Sequence, residues 1–415
     1  MKRSNEPVRG TKDYLPREMM IREKVKNIIL NSYKSFGFMQ IGTPVLEDID
    51  NLLGSDGGEN LKLIFKVLKR GEKLDLSKEN LTERDIVDIG LKYDQTVPLV
   101  RLYSNNMNDL PSPFKSIQID SSFRADRPQR GRLRQFTQCD IDILGDSSIN
   151  AEIDILNTTA KTFENLGFKN FVVKVNDRRI LSDIILSCGF DAMSEADICI
   201  SLDKIDKIGL DGVKNDLLVK GFDEKNIDCL VQKIENILNS GNKAFDELVK
   251  MGVRKEVVDD LYNILTAVNS LASSGFKAVF DISIVRGQNY YTGLVYEFYL
   301  EGMTGACAGG GRYDKMIEKM TGKAIPAVGL GLGFEPTCIL VQEQGKLGVI
   351  EPAVAVIYKK EDNIVDVLKR VQEINKKTNA SAILAKKNLN FQLETLKNNG
   401  ITHFCLFPNN EIKEI

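Results

Sequence analysis

Histidine is almost absent: His403 is the only one in 415 residues, and there is no tryptophan. A multi-histidine metal centre or a histidine-based catalytic triad therefore has nothing to be built from. The seven cysteines include no CxxC pair and lie mostly in apolar runs, the pattern of reduced core thiols in a cytoplasmic protein. Neither charge sign dominates, with 56 basic and 58 acidic residues, so any nucleic-acid contact would be a local patch. Apolar runs fall far short of a membrane span, and the first ten residues, MKRSNEPVRG, lack the apolar stretch of a signal peptide. Chemistry is left to arginine, carboxylates, tyrosine and backbone amides.

A chain of this length forms two or three domains. Its most informative stretch is SSFRADRPQRGRLRQFTQCDIDILG, residues 121–145. Apolar, β-prone ends flank a loop carrying Arg124, Arg127, Arg130, Arg132 and Arg134, which reads as two strands joined by a basic loop. Planar guanidinium forks suit phosphate. A solvated loop would also carry such charges. Gln138, Asp140 and Asp142, however, alternate along the second strand and so share one face, like the floor of a polar pocket.

The rest of the chain reads in parts. Residues 17–36 have helical spacing with Gly37 as a stop, followed by a short strand and Pro44, which marks a strand end or edge. Residues 62–100 hold strands around a polar surface excursion at 71–88, and 175–275 alternates apolar clusters with charge as a mainly helical module. Strand character returns over 278–335, and 350–415 reads β-α-β-α-β.

Three further segments carry chemistry. In LKYDQTVPLVR (91–101), Asp94 and Thr96 share a face if the segment is extended, with Pro98 ending it; a carboxylate beside a hydroxyl suits an ammonium ligand, or Asp94 is a solvated loop residue. In DISIVRGQNYYTGLVYEFYL (281–300), Arg286 is wedged between a strand-like flank through Val285 and Gly287, while Tyr290 and Tyr291 supply rings and phenols. GMTGACAGGGRYD (302–314) is glycine-rich, which lets backbone crowd a ligand or marks a flexible hairpin; Arg312 after it could bind an anion. Glycines then alternate through AVGLGLGFE (327–335), leaving one side open to a ligand or another backbone.

Together these segments resemble the histidyl-tRNA synthetases, a class II aminoacyl-tRNA synthetase family, over almost the whole chain. RGTKDYLP (9–16) is similar to the family's entry segment, the helix–strand–Pro44 unit to its first class motif, FRADRPQRGRLRQFTQCDIDILG to the second, and VGLGLGFE to the start of the third. VRGQNYYTG and AGGGRYD resemble the two histidine-specific signatures.

The resemblance implies an α+β fold with an antiparallel class II sheet core and a helical insertion, plus a C-terminal α/β domain like the anticodon-binding domain. The core would be residues 1–170 and 276–345, the insertion 171–275, and the last domain 350–415, shortened. It also implies a homodimer formed through the first motif, outside any membrane. Arg124, Arg132 and Arg286 would bind ATP, with Arg124 and Arg286 catalytic at the α-phosphate. Asp94, Gln95, Thr96, Gln138, Asp142, Tyr290 and Tyr291 would bind histidine. ATP would bring Mg2+ on its own phosphates, with no dedicated protein metal site, and tRNA(His) would receive the histidine.

The chain departs from the family's pattern at Pro336, where the third motif places an arginine on the ATP γ-phosphate, and at Asn289, where an aspartate is usual. These departures and the shortened tail keep two alternatives open. One is a histidine-sensing regulatory subunit of ATP phosphoribosyltransferase; the other is a histidine-activating paralogue that does not charge tRNA.

Overall fold

The computed structural model describes residues 5–54, 58–273, 275–286, 291–346, 353–409 and 411–415. By contact, the chain divides into two compact units: Val8–Thr11 with Ile28–Leu340, and Met1–Pro7, Lys12–Asn27 with Val341–Ile415.

The larger unit is organised by an eight-stranded sheet. Its strands are β1 (Met39–Gln40), β2 (Phe114–Phe123), β3 (Gln135–Leu144), β4 (Val172–Asp177), β5 (Lys277–Phe280), β6 (Leu294–Tyr299), β7 (Ala308–Arg312) and β8 (Ala327–Gly333). The spatial order is β1-β2-β3-β8-β7-β6-β4-β5. Neighbours are antiparallel except for a parallel pair at each edge, β1 with β2 and β4 with β5. This is the expected α+β architecture. The short β1 precedes Pro44 at one edge, where a residue without an N–H costs no ladder bond.

One face of the sheet carries the helix Asn150–Asn165. Phe163 on that helix meets Phe298 of β6 at 5.7 Å between ring centres, and Phe171 stacks on Phe276 at 5.0 Å. A small antiparallel sheet of Leu46–Asp48, Val87–Leu91 and Lys66–Leu68 stands beside it, with Ile49, Leu52, Ile64, Tyr93 and Val97 packed in its core. The excursion read over 71–88 is mostly exposed from 71 to 84, but Val87 and Asp88 already belong to the strand Val87–Leu91.

Between β4 and β5 the chain is helical from Arg178 to Ser270. Asp177 caps the first of these helices by accepting from the Arg179 N–H. In Glu224–Ser240, capped by Asp223, the buried positions Ile227, Leu230, Ile234 and Ile237 follow helical spacing.

In the smaller unit, β9 (Ala353–Tyr358), β10 (Asn379–Leu384), β11 (His403–Leu406) and β12 (Lys413–Glu414) form a sheet ordered β10-β9-β11-β12. Helices Ile364–Asn375 and Leu389–Asn398 connect the parallel strands, matching the β-α-β-α-β reading. Val354, Val356, Val367, Val371, Ile374 and Cys405 make its core. Among the described residues no helix is long and apolar enough to cross a membrane, and no disulfide is present.

Candidate active site

The hairpin β2–β3 places a cavity of about 330 Å³ over the sheet. Its floor is the polar row on β3. Each member of that row faces a glycine across the ladder to β8: Asp142 pairs with Gly329, Asp140 with Gly331 and Gln138 with Gly333. At Gly329 and Gly331 the polar side chains lie across the strand, whereas at Gly333 Pro336 and the Cys307 carbonyl take the space. A Cβ on Gly329 would collide with Asp142 Oδ1, and one on Gly331 would stand 3.0 Å from both Asp140 Oδ1 and Gln138 Nε2. The alternation of glycines in β8 is thus explained by neighbouring atoms, without calling on a ligand.

Asp142 is buried and accepts a 2.6 Å hydrogen bond from Tyr313 Oη. Burial raises its carboxyl to about 7, Tyr313 pulls against that rise, and nearby Asp94 adds to it. Burial also pushes Asp140 well above the carboxylate range, reinforced by Asp142 and Asp94. Asp94 is raised by burial as well, with Arg124 and the backbone amides of Val97 and Thr96 opposing.

Three arginines line the same cavity, Arg124, Arg132 and Arg286. Arg124, just past the end of β2, donates from Nε to the Tyr93 carbonyl at 2.8 Å and lies 5.2 Å from the Phe136 ring centre. Arg286 donates from Nη1 to Glu297 Oε1 at 3.1 Å and lies 5.7 Å from the Tyr291 ring. Its guanidinium sits where a Cβ on Gly309 would be. Arg286 adopts a left-handed backbone, φ 54°, which is strained for a side chain with a Cβ. Arg178 donates to the Val285 and Arg286 carbonyls at 3.3 and 3.4 Å, and Asp203 hydrogen-bonds the Arg286 backbone. These partners hold the strained turn from the helical segment.

Of the sequence-predicted residues, Asp94, Thr96, Arg124, Arg132, Gln138, Asp142, Arg286 and Tyr291 line this one cavity. Gln95 does not. It is wholly buried and donates from Nε2 to Ser122 Oγ at 3.0 Å while its carbonyl receives Gln118, so it ties the segment to β2. Tyr290 and Asn289 lie outside the described residues.

Four local readings change. Thr96 opens a helix, Thr96–Asn106, so the segment is not extended and Pro98 lies in the first helical turn instead of ending a strand; there its missing N–H has no partner to lose. Val285 falls outside the strands, since β5 ends at Phe280 and β6 starts only at Leu294. The run Ala308–Arg312 is an inner strand of the sheet and not a flexible hairpin. Arg312 is no anion site: it pairs with Glu152 at 2.6 and 2.7 Å and donates to the Asp146 carbonyl.

Sequence reasoning put Asp140 on the pocket floor without naming a ligand for it, and left Tyr313, Glu297 and Glu335 without roles, although all four line the pocket. Signals existed for each. Tyr313 sits in AGGGRYD, Glu297 is the lone acid in the apolar strand LVYEFY, and Asp140 is the middle of the polar row. Glu335 survives from the third motif and accepts the Thr137 N–H through both oxygens, at 3.2 and 3.0 Å. Pro336 follows in the first turn of Phe334–Glu343, close to the hairpin residue Gly131.

A family model for histidyl-tRNA synthetase matches residues 10–336. The chain belongs to the histidyl-tRNA synthetase family. It is 38% identical over 345 residues to the histidine–tRNA ligase of Leifsonia xyli subsp. xyli, covering 81% of this chain and 80% of that one. Its fold is similar to the crystal structure of histidyl-tRNA synthetase from Nostoc sp. PCC 7120, with TM-score 0.75 and 25% identity over 97% of this chain and 91% of that one. An ATP phosphoribosyltransferase regulatory subunit/histidyl-tRNA synthetase from Bacillus halodurans C has TM-score 0.77 over 99% of this chain and 100% of its own, but 16% identity, a likeness of fold alone. In this synthetase family member, Arg124, Arg286 and the acidic row converge on one cavity, ready to receive charges of opposite sign.

Proposed function

We propose that the chain is an ATP-dependent histidine–tRNA ligase working as a homodimer in the cytoplasm. The observation that carries this reading is the convergence of Arg124 and Arg286 with Asp94, Gln138 and Asp142 on one cavity. Carboxylates on the floor suit an amino acid's ammonium and an imidazole N–H. Guanidiniums on the walls suit its carboxylate and a phosphate.

In the first step a histidine carboxylate oxygen attacks the α-phosphorus of ATP. The bond to the bridging oxygen breaks, and pyrophosphate leaves with the electron pair. Negative charge grows on the non-bridging oxygens, where Arg124 and Arg286 act without any change of protonation. Each is already fixed by its own partner, so little reorganisation is needed. Tyr313 keeps Asp142 oriented towards the imidazole, with Tyr291 beside it. Thr96 joins Asp94 at the ammonium.

In the second step a terminal ribose hydroxyl of tRNA(His) attacks the carbonyl carbon, and AMP leaves. Arg132 is exposed, with Asp126 3.8 Å away, and lies in the hairpin that meets Pro336; it serves the outer ATP phosphates where the third motif has no cation. Three of the pocket's carboxylates are already held by other partners, Glu335 by the Thr137 amide, Glu297 by Arg286 and Asp142 by Tyr313, which suits a phosphate-carried ion better than a protein cage. Mg2+ would therefore enter on ATP, neutralising charge on the departing pyrophosphate.

Transfer of labelled histidine to tRNA tests the reading. Charging of tRNA(His) is expected; adenylate formation without charging of any tRNA would replace it with the non-charging paralogue. The dimer is tested by sedimentation, where a species near the 46.4 kDa chain mass would contradict it.

A further inference from the structure

Arg178 opens the first helix of the module between β4 and β5, Arg178–Ser187, and is 6% exposed. The positive end of a helix is a poor place for a cation, and a buried guanidinium is costly unless a carboxylate answers it. Arg179 beside it takes the carboxylates of Asp177 and Asp260, at 2.8 and 3.2 Å. Arg178 has no such pair among the described residues, and its Nε is buried without a hydrogen-bond partner. Its Nη1 donates instead to the carbonyls of Val285 and Arg286, at 3.3 and 3.4 Å, and its backbone N–H to that of Gly293 at 3.0 Å. Arg178 therefore grips the chain both at Arg286 and at the entrance to β6.

Asp203 is the opposite case. It follows the helix Glu195–Leu202, at the negative end, where an acid is disfavoured. Its carboxylate accepts the backbone N–H of Arg286. Two charges of the helical module, each set against its own helix dipole, thus meet at one residue. That residue has the left-handed φ of 54°, a conformation that persists only where its surroundings over-determine it. Asn176 of β4 fixes the chain leading in, donating to the Ile282 and Ile284 carbonyls at 3.2 and 2.9 Å.

We propose that Arg178 and Asp203 are positioning residues for Arg286, through which the helical module sets how far the arginine can stabilise the α-phosphate. Glu297 aims the guanidinium, and the clamp fixes the backbone from which it springs. The charges are tolerated at unfavourable helix ends because the turn requires them. This rests on the ligase reading above and adds two residues, both outside the lining of the cavity, on which the chemical step depends.

The test is a set of double-mutant cycles on the full chain, read by single-turnover formation of histidyl-adenylate and by histidine titration. Asp203→Ala removes the acceptor, and Arg178→Met fills similar space without a donor. Each should slow adenylate formation about five- to thirtyfold, the worth of one or two hydrogen bonds, with histidine affinity within about threefold of the unaltered chain. Asp203→Asn keeps an acceptor oxygen and should recover most of the rate. In an Arg286→Ala background neither substitution should cost anything further. An unchanged rate in either variant overturns the proposal. So does an equal loss with and without Arg286, or a matching loss of histidine affinity, since these assign the pair to the fold or to binding. An unaltered chain that forms no histidyl-adenylate sinks the ligase reading itself, whereas full adenylate formation in Asp203→Ala sinks only the clamp.

Discussion

Asp142 and Gly329 are direct partners across adjacent strands, and the carboxylate occupies the space that a side chain at 329 would fill. The position of an acid in the pocket is therefore set by a missing atom on the neighbouring strand. Gly329→Ala should push Asp142 off the floor or spread the two strands. The expected outcome is a histidine KM raised at least tenfold, with the ATP KM changed much less. Overpacking should also lower stability by about 1–3 kcal/mol. Steady-state pyrophosphate exchange and thermal unfolding measure both effects. An unchanged histidine KM would mean that Asp142 does not hold the amino acid.

Tyr313 and Asp142 make a second, pH-dependent prediction. The phenol stabilises the ionised carboxylate, whose value burial has raised to about 7. Tyr313→Phe removes that support, so the carboxyl should titrate higher still. At pH 7 less of it would be ionised, and the histidine KM should rise severalfold, recovering towards pH 8.5. A KM–pH profile that coincides with the unaltered enzyme's would contradict this.

The same carboxyl links stability to pH. Its folded value, about 7, exceeds the ordinary 3.8, so between these pH values the native state binds more protons than the unfolded one. Its contribution is fully present below about pH 4 and is lost as pH rises to about 7. Asp142→Asn should flatten this part of the curve of unfolding free energy against pH. Denaturant titrations at pH 5 and pH 7.5 would measure it, and an unchanged difference between them would remove Asp142 as its source.

Much of this site was legible from residue patterns, for identifiable reasons. Strand periodicity puts Gln138, Asp140 and Asp142 on one face whatever the rest of the chain does, and the basic loop between two β-prone runs left little choice but a hairpin. What could not be read was which contacts side chains make across long separations. Arg312 follows a glycine run and looks like an anion site, but Glu152, 160 residues away, neutralises it. Gln95 sits between two pocket residues, yet the turn into the helix at Thr96 rotates it inward to β2. Pro98 is compatible with either a strand end or a first helical turn, and only packing of Val97, Leu99 and Val100 into the core selects the helix.

Arg286 is predicted to act on the chemistry more than on binding. Arg286→Ala should lower the rate of adenylate formation by about 10²–10³-fold, the loss typical of one preorganised donor. Histidine affinity should change by less than about threefold, because Asp94, Gln138 and Asp142 remain. Single-turnover adenylate formation and equilibrium titration separate the two effects. A rate within a few-fold of the unaltered enzyme would place Arg286 outside the reaction and leave its ion pair with Glu297 a structural one.

The central claim is that one cavity joins histidine to the α-phosphate of ATP. Exchange of labelled pyrophosphate into ATP, measured with and without histidine, tests it most directly. Exchange should require histidine, should not occur with phenylalanine, which offers no ring N–H to Asp142, and should fall sharply in Arg124→Ala and Arg286→Ala. Absence of histidine-dependent exchange in a chain that still binds histidine would contradict the account and leave a protein that senses the amino acid without activating it.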